Sequence, residues 1–227
     1  NLISPKIGSY GVYANDEFFA PLERMLSETD PIFIPDKYDD HGKWMDGWET
    51  RRKRTPGYDW CLIKLGCPGT IKKIEINTKF FTGNYPPYAE IEGIYSEEKP
   101  DENDKNWKTI LNKKSIKGDA VNNFNAENEN IINWVKLKIF PDGGVARLRL
   151  WGNVFVDWNK ISKKQILELS ALKNGGKIIS YNNAHYGDIS AILSHGRGKN
   201  MGDGWETRRS RGKNFDWLII KCAAAAK

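Results

Sequence analysis

The heptapeptide DGWETRR stands at residues 46–52 and again, letter for letter, at 203–209. Its side chains suit a definite chemistry. The guanidinium groups of Arg51, Arg52, Arg208 and Arg209 can each grip a carboxylate through two parallel N–H donors. Glu49 and Glu206, with Asp59 and Asp216 ten residues further on in each copy, can accept N–H groups or move protons. Together they suit a small anion that also carries N–H or O–H donors. The structural alternative is an Arg–carboxylate pair that pins a loop and neutralises itself out of solvent. Trp48 and Trp60 are read as core packing, not as stacking platforms.

Two further residues carry chemistry. His185 aligns with Phe18 of the first copy, so a proton carrier stands in only one copy; a satisfied surface histidine is the competing reading. Asn84 and Tyr85 lie in the turn-rich segment TGNYPP (82–87), where contact with a ligand competes with a plain turn.

These groups need a frame, and the frame is duplicated. Residues 46–66 lie over 203–223 without a gap, with twelve of 21 positions identical at a spacing of 157. Upstream, FAPLERML (19–26) matches YGDISAIL (186–193) at a spacing of 167, so one loop differs in length. Matched segments in the same order mean two copies of one module. They give a first repeat over 1–153 and a second, truncated one over 154–227.

Within the first copy the pattern is mostly β. YDWCLIKL (58–65) reads as a strand buried on both faces, and IKKIEINTKFF (71–81) as a second one. YAEIEGIY (88–95), NWVKLKIF (133–140) and VARLRLWG (145–152) alternate, and PDGG (141–144) joins the last two as a hairpin. Alternation turns Val135, Leu137, Ile139, Ala146, Leu148 and Leu150 inward and Lys136, Lys138, Arg147 and Arg149 to water. In DGWETRR, an extended chain puts Trp48, Thr50 and Arg52 on one face and Glu49 and Arg51 on the other. Helices are expected over 15–26, with Phe18, Phe19, Leu22, Met25 and Leu26 on one face and Pro21 as a weak point. A second is expected over 162–176, from a Ser162/Gln165 capping box to Gly175. The acidic run 96–106 reads as a solvated loop. Antiparallel strands in repeats near 150 residues indicate an all-β chain of two tandem jelly-roll β-sandwiches with a few short helices, the second incomplete.

Bulk properties exclude other classes. No apolar run approaches the roughly 20 residues of a membrane helix. The net charge of +6 is spread along alternating strands instead of gathered in a groove, which argues against nucleic acid. Cys61, Cys67 and Cys222 are odd in number and lack a Cys-x-x-Cys pairing, which points to free thiols and a cytoplasmic setting. His41, His185 and His195 show no metal-ligand spacing, so no structural zinc site and no cofactor is expected, with a metal requirement left open.

GWETRR, GYDWCLIKLG, TKFFTGNYPP and PDGGVARLRLWG, with NAHYGDISAILSHGRGKNMGDGWETRRSRG in the second copy, resemble the allantoicase family. The resemblance implies two jelly-roll modules and a ureohydrolase of purine breakdown that converts allantoate and water to ureidoglycolate and urea, in a family compatible with homo-oligomers. That reaction needs a cationic grip on the carboxylate, an acid for the departing urea and a base for water. Arg51, Arg52, Arg208, Arg209 and Asn84 are then the substrate ligands. Glu49, Glu206, Asp59, Asp216 and His185 are the candidate proton carriers. The rival reading is a jelly-roll module that binds a sugar or other small ligand without catalysis.

Overall fold

In the computed structural model, residues 1–162, 164–198, 200–209, 211–212 and 214–225 are described. The chain divides into two compact units, Asn1–Asn153 and Val154–Lys227.

The first unit is a sandwich organised around one long strand. Its elements are β1 (Tyr10–Ala14), a single-turn helix α1 (Leu22–Met25), β2 (Tyr38–Asp39), β3 (Gly42–Lys43), β4 (Trp48–Glu49), β5 (Asp59–Asn77), β6 (Tyr88–Ile94), β7 (Lys108–Ser115), β8 (Val121–Asn125), β9 (Ile132–Phe140), β10 (Gly144–Val145) and β11 (Arg147–Val154). The sheet order is β1-β5-β9-β6-β7, and β8 and β11 also pair with β5. The two strands expected over 58–65 and 71–81 are halves of β5. The first half pairs with β1 and β9, and the second half, Lys73 to Asn77, pairs with β8. The ladder to β9 slips between Lys64 and Gly69. There Gly66 lies so close to the backbone of Ile7 that an added Cβ would sit 2.0 Å from its carbonyl oxygen. A strand that bends at glycines serves both layers of a sandwich.

The hairpin expected at PDGG is not one. β9 lies between β5 and β6, whereas β11 follows the second half of β5: Ala146 N–H bonds Asn77 O at one end, and Gly152 rests against Thr70 at the other. The turn therefore crosses between layers. This also overturns the expected wet face. Lys136, Arg147 and Arg149 are 5%, 0% and 9% exposed, and the Lys138 side chain 12%. Each is paired: Lys136 with Glu92, Lys138 with Glu90 and Glu92, Arg147 with Asp46, Arg149 with Glu75. Alternation identifies two faces but not what covers the second one. The inward set Val135, Leu137, Ile139, Ala146, Leu148 and Leu150 is fully buried, as expected. The 96–106 segment is loop, and Cys61, Cys67 and Cys222 are free thiols.

Of the helix expected over 15–26, only Leu22–Met25 forms. Pro21 offers no N–H and stands at the N-cap, and Glu17 caps the turn by accepting the Leu22 N–H at 2.6 Å. Phe18 is 42% exposed.

The described elements of the second unit repeat several of the opening elements of the first. A 3₁₀ turn Pro5–Ile7 ending on Gly8 (φ 92°) has its counterpart in Leu172–Asn174 ending on Gly175 (φ 97°). β12 (Lys177–Tyr181) stands for β1, and β13 (Leu218–Lys221) for the start of β5. The pairs Lys177↔Lys221, Ile178↔Ile220, Ser180↔Ile219 and Tyr181↔Leu218 reproduce Tyr10↔Lys64, Gly11↔Ile63, Tyr13↔Leu62 and Ala14↔Cys61, including the bulge. The 3₁₀ helix Ile189–Leu193 replaces α1. No α-helix forms over the described residues of 162–176; only the short turn before Gly175 is regular, and Ile166 is 98% exposed. With Ile166 left in solvent, the segment gains too little burial to repay helix nucleation.

Candidate functional site

In the first unit the motif runs from buried to exposed. β4 pairs with β10, Glu49 opposite Gly144 and Trp48 opposite Val145, and Glu49 also bridges to Ala20. Squeezed between these neighbours, Trp48, Glu49 and Thr50 are all buried (0%, 8% and 3% exposed), while Arg51 and Arg52 are exposed. The expected alternation, with Arg52 carried inward beside Trp48, is therefore not found; the strand ends before it reaches the arginines. Thr50 takes the Gly143 N–H on its hydroxyl and gives its own N–H to Gly143 O, which docks the PDGG turn onto the motif.

Asn84 donates Nδ2–H to Glu49 Oε1 at 2.6 Å. Burial lifts the Glu49 carboxyl above the ordinary glutamate value, against the opposing pull of that hydrogen bond. Asp59 is 2% exposed, and its Oδ1 accepts from Lys53 Nζ at 2.7 Å and Asn15 Nδ2 at 2.9 Å. Arg51 donates Nε–H to Asp16 Oδ2 at 2.7 Å and lies over the Phe18 ring. For Asp16, burial raises the carboxyl, but hydrogen bonds from the Phe18 amide and from Arg51 outweigh it and leave it below the ordinary aspartate value.

The clip that gathers these groups is Asn15–Asp16, which the motif alone does not reveal. Asn15 Oδ1 accepts the Trp60 N–H at 2.7 Å, and Asp16 O accepts Trp48 Nε1–H at 2.9 Å. In the second unit Asn182–Asn183 does the same. Asn182 Nδ2–H reaches Asp216 Oδ1 at 2.9 Å, Trp217 N–H reaches Asn182 Oδ1 at 2.8 Å, and Trp205 Nε1–H reaches Asn183 O at 2.7 Å. The signal lay in extending the 167 spacing four residues upstream, where NDEFF (15–19) meets NNAHY (182–186).

The copies differ where charge matters. Asp16 of the first copy is Asn183 in the second, and Phe18 is His185. Arg208 Nε–H there goes to His185 Nδ1 at 2.9 Å. Nδ1 is the accepting atom of that pair, since the guanidinium Nε–H can only donate. Glu206, Arg208, Arg209 and His185 are exposed, and Asp216 is half-buried.

At Asn84, the partner of Glu49, the first unit opens a cleft of about 340 Å³, lined by Phe33, Lys43, Met45, Phe80, Thr82, Asn84 and Asp119. Of the residues expected to form a site, it includes Asn84. Among the described residues no three His, Cys, Asp or Glu side chains gather as a metal site would require.

A model of the allantoicase repeat matches residues 1–155 and 167–227. The chain belongs to the allantoicase family. It is 47% identical over 223 residues to probable allantoicase 1 of Burkholderia mallei, covering 98% of this chain and 66% of that protein. It is 48% identical over 229 residues to probable allantoicase of Acinetobacter baylyi, covering 100% of this chain and 67% of that one. Thus the chain spans about two thirds of the length of these allantoicase relatives. A crystal structure of allantoicase from Saccharomyces cerevisiae superposes with a TM-score of 0.83 at 36% identity, over 98% of this chain and 68% of that one.

Proposed function

We propose that this protein hydrolyses allantoate to ureidoglycolate and urea. The observation that carries the reading, beyond family membership, is the Glu49–Asn84 pair beside an open cleft. Allantoate is a carboxylate whose α-carbon holds two ureido groups. The bond to be cut joins that carbon to a ureido nitrogen. A proton delivered to that nitrogen makes urea the leaving group, the lone pair of the other ureido nitrogen assists, and water adds to the resulting iminium carbon.

Glu49 suits the acid role, because burial keeps its carboxyl protonated to higher pH than a surface glutamate and Asn84 fixes its orientation. Arg51 spends Nε on Asp16, which leaves its terminal nitrogens for substrate oxygens, and Arg52 is exposed beside it. Asp59, closed in by Lys53 and Asn15, fits an anchoring role. In the second unit Arg208 and Arg209 are assigned to anion binding, His185 and Glu206 to proton transfer, and Asp216 to support of the clip. Among the described residues no helix is long and apolar enough to cross a membrane.

The test is urea release from allantoate by Glu49→Gln, Glu206→Gln and the double variant. A loss of about 10²–10⁴-fold is expected for a missing acid. Normal turnover by a folded double variant would remove both glutamates from the mechanism. Retention of the wild type on a sugar resin, without urea release, would favour the binding-module reading.

A further inference from the structure

Between Leu26 and Asp46 the first copy has nineteen residues, and between the matching Leu193 and Asp203 the second has nine. The extra ten build a wall. β2 and β3 form a small hairpin in this loop, Tyr38 opposite Lys43, and Phe33 and Lys43 from it line the cleft beside Asn84. The loop is tied at both ends by one buried guanidinium. Arg147 donates to Thr29 O at 2.8 Å and to Asp46 O and Oδ2 at 2.8 and 2.6 Å, and Asp46 Oδ2 also accepts the Ile32 N–H. Across the cleft Phe33 stacks on Phe80 with ring centres 5.8 Å apart.

The opposite wall is held under strain. Phe80 has φ +69°, a conformation that a bulky side chain rarely adopts, and Asp119 has φ +46°. Asp119 fixes Phe80 by accepting its N–H at 2.9 Å. That bond, followed by the Lys79 charge, keeps the Asp119 carboxyl below its ordinary value and therefore ionised.

We propose that this cleft is a binding site for a small carboxylate bearing planar urea-type groups, with Lys43 as the carboxylate ligand, and that the ten-residue insertion gives the first copy this site. Lys43 supplies a cation within the cleft, where its ammonium lies 4.6 Å from the Phe33 ring centre, and no ion pair of Lys43 is found among the described residues. Asp119 and the Asn84 carbonyl oxygen supply acceptors for urea N–H groups, since Asn84 Nδ2 is committed to Glu49. Phe33 and Phe80 line the cleft with apolar ring surface. The ligand class rests on the allantoate reading, and it deepens that reading by naming where the carboxylate is held.

Titration calorimetry of the full-length protein with N-carbamoylglycine, which has one carboxylate and one urea group and no bond to cleave, tests this, with urea release from allantoate followed in parallel. Binding weakened at least tenfold in Lys43→Gln and largely restored in Lys43→Arg is expected, with unchanged circular dichroism. Wild-type affinity in Lys43→Gln, or no binding to the wild type, overturns the proposal. Unchanged KM for allantoate in Lys43→Gln overturns it while leaving allantoate hydrolysis standing. Lys43-dependent binding by a protein that releases no urea upholds it and removes the hydrolytic reading instead.

Discussion

Arg208 donates its Nε–H to the Nδ1 of His185 at 2.9 Å, at the place where Arg51 meets the Asp16 carboxylate at 2.7 Å. The same arginine of a repeated motif thus meets a carboxylate in one copy and an imidazole nitrogen in the other. His185→Phe restores the ring type of the first copy at an exposed position. It is expected to change stability by no more than about 0.5 kcal/mol and to lower urea release by about 10²–10⁴-fold if His185 carries protons. Nitrogen-15 spectra of the histidines in neutral wild-type protein are expected to show Nδ1 of His185 unprotonated.

The raised Glu49 carboxyl ties stability to pH. The folded state binds this proton more tightly than the unfolded chain does, so the Glu49 contribution to stability falls as pH rises from its ordinary 4.5 through the elevated folded value. Glu49→Gln keeps an oxygen for the Asn84 amide and cannot ionise. Denaturation midpoints of the variant are therefore expected to match or exceed those of the wild type at pH 7–8 and to lose that advantage near pH 4. A variant less stable than the wild type at pH 8 would contradict this account.

Arg147 is fully buried and satisfies four acceptors on Thr29, Asp46 and Ala146. Arg147→Met leaves the half-buried Asp46 carboxylate without its partner, and a loss of about 3–5 kcal/mol is expected in urea denaturation. Because Arg147 ties both ends of the 27–45 loop, proteolytic cleavage within that loop is expected to accelerate before the rest of the unit becomes sensitive.

Lys53 and Asp59 form the other enclosed pair. Lys53→Met strands a carboxylate that is 2% exposed, leaving Asn15 as its remaining side-chain donor among the described residues. A destabilisation of about 3 kcal/mol is expected. If Asp59 is an anchor, activity lost in Asp59→Asn will track the folded fraction, and activity per folded molecule will stay near that of the wild type.

The duplication was readable because its two spacings, 167 and 157, are properties of the letters alone, and the ten-residue difference located the inserted loop before any fold was known. The inward faces of β9 and β11 were readable for the same reason, since a period of two needs no partner. Continuity of β5 was not, because Gly66 and Gly69 resemble a turn until Ile7 is seen pressed against the first and Asn153 against the second. Burial of Lys136, Arg147 and Arg149 was hidden because their carboxylate partners lie tens of residues away in the chain. Of the site, Glu49 and Asn84 were named from sequence but not as partners, and Lys43, Phe80 and Asp119 carried no local pattern at all.

In both copies the indole N–H of the motif tryptophan is received by a main-chain carbonyl, that of Asp16 or Asn183, and not by a side chain. The latch is thus indifferent to which residue supplies it. A single-letter exchange at that point can switch the electrical surroundings of the neighbouring arginine while the scaffold closes as before, which gives a doubled module a low-risk route to two differently charged halves.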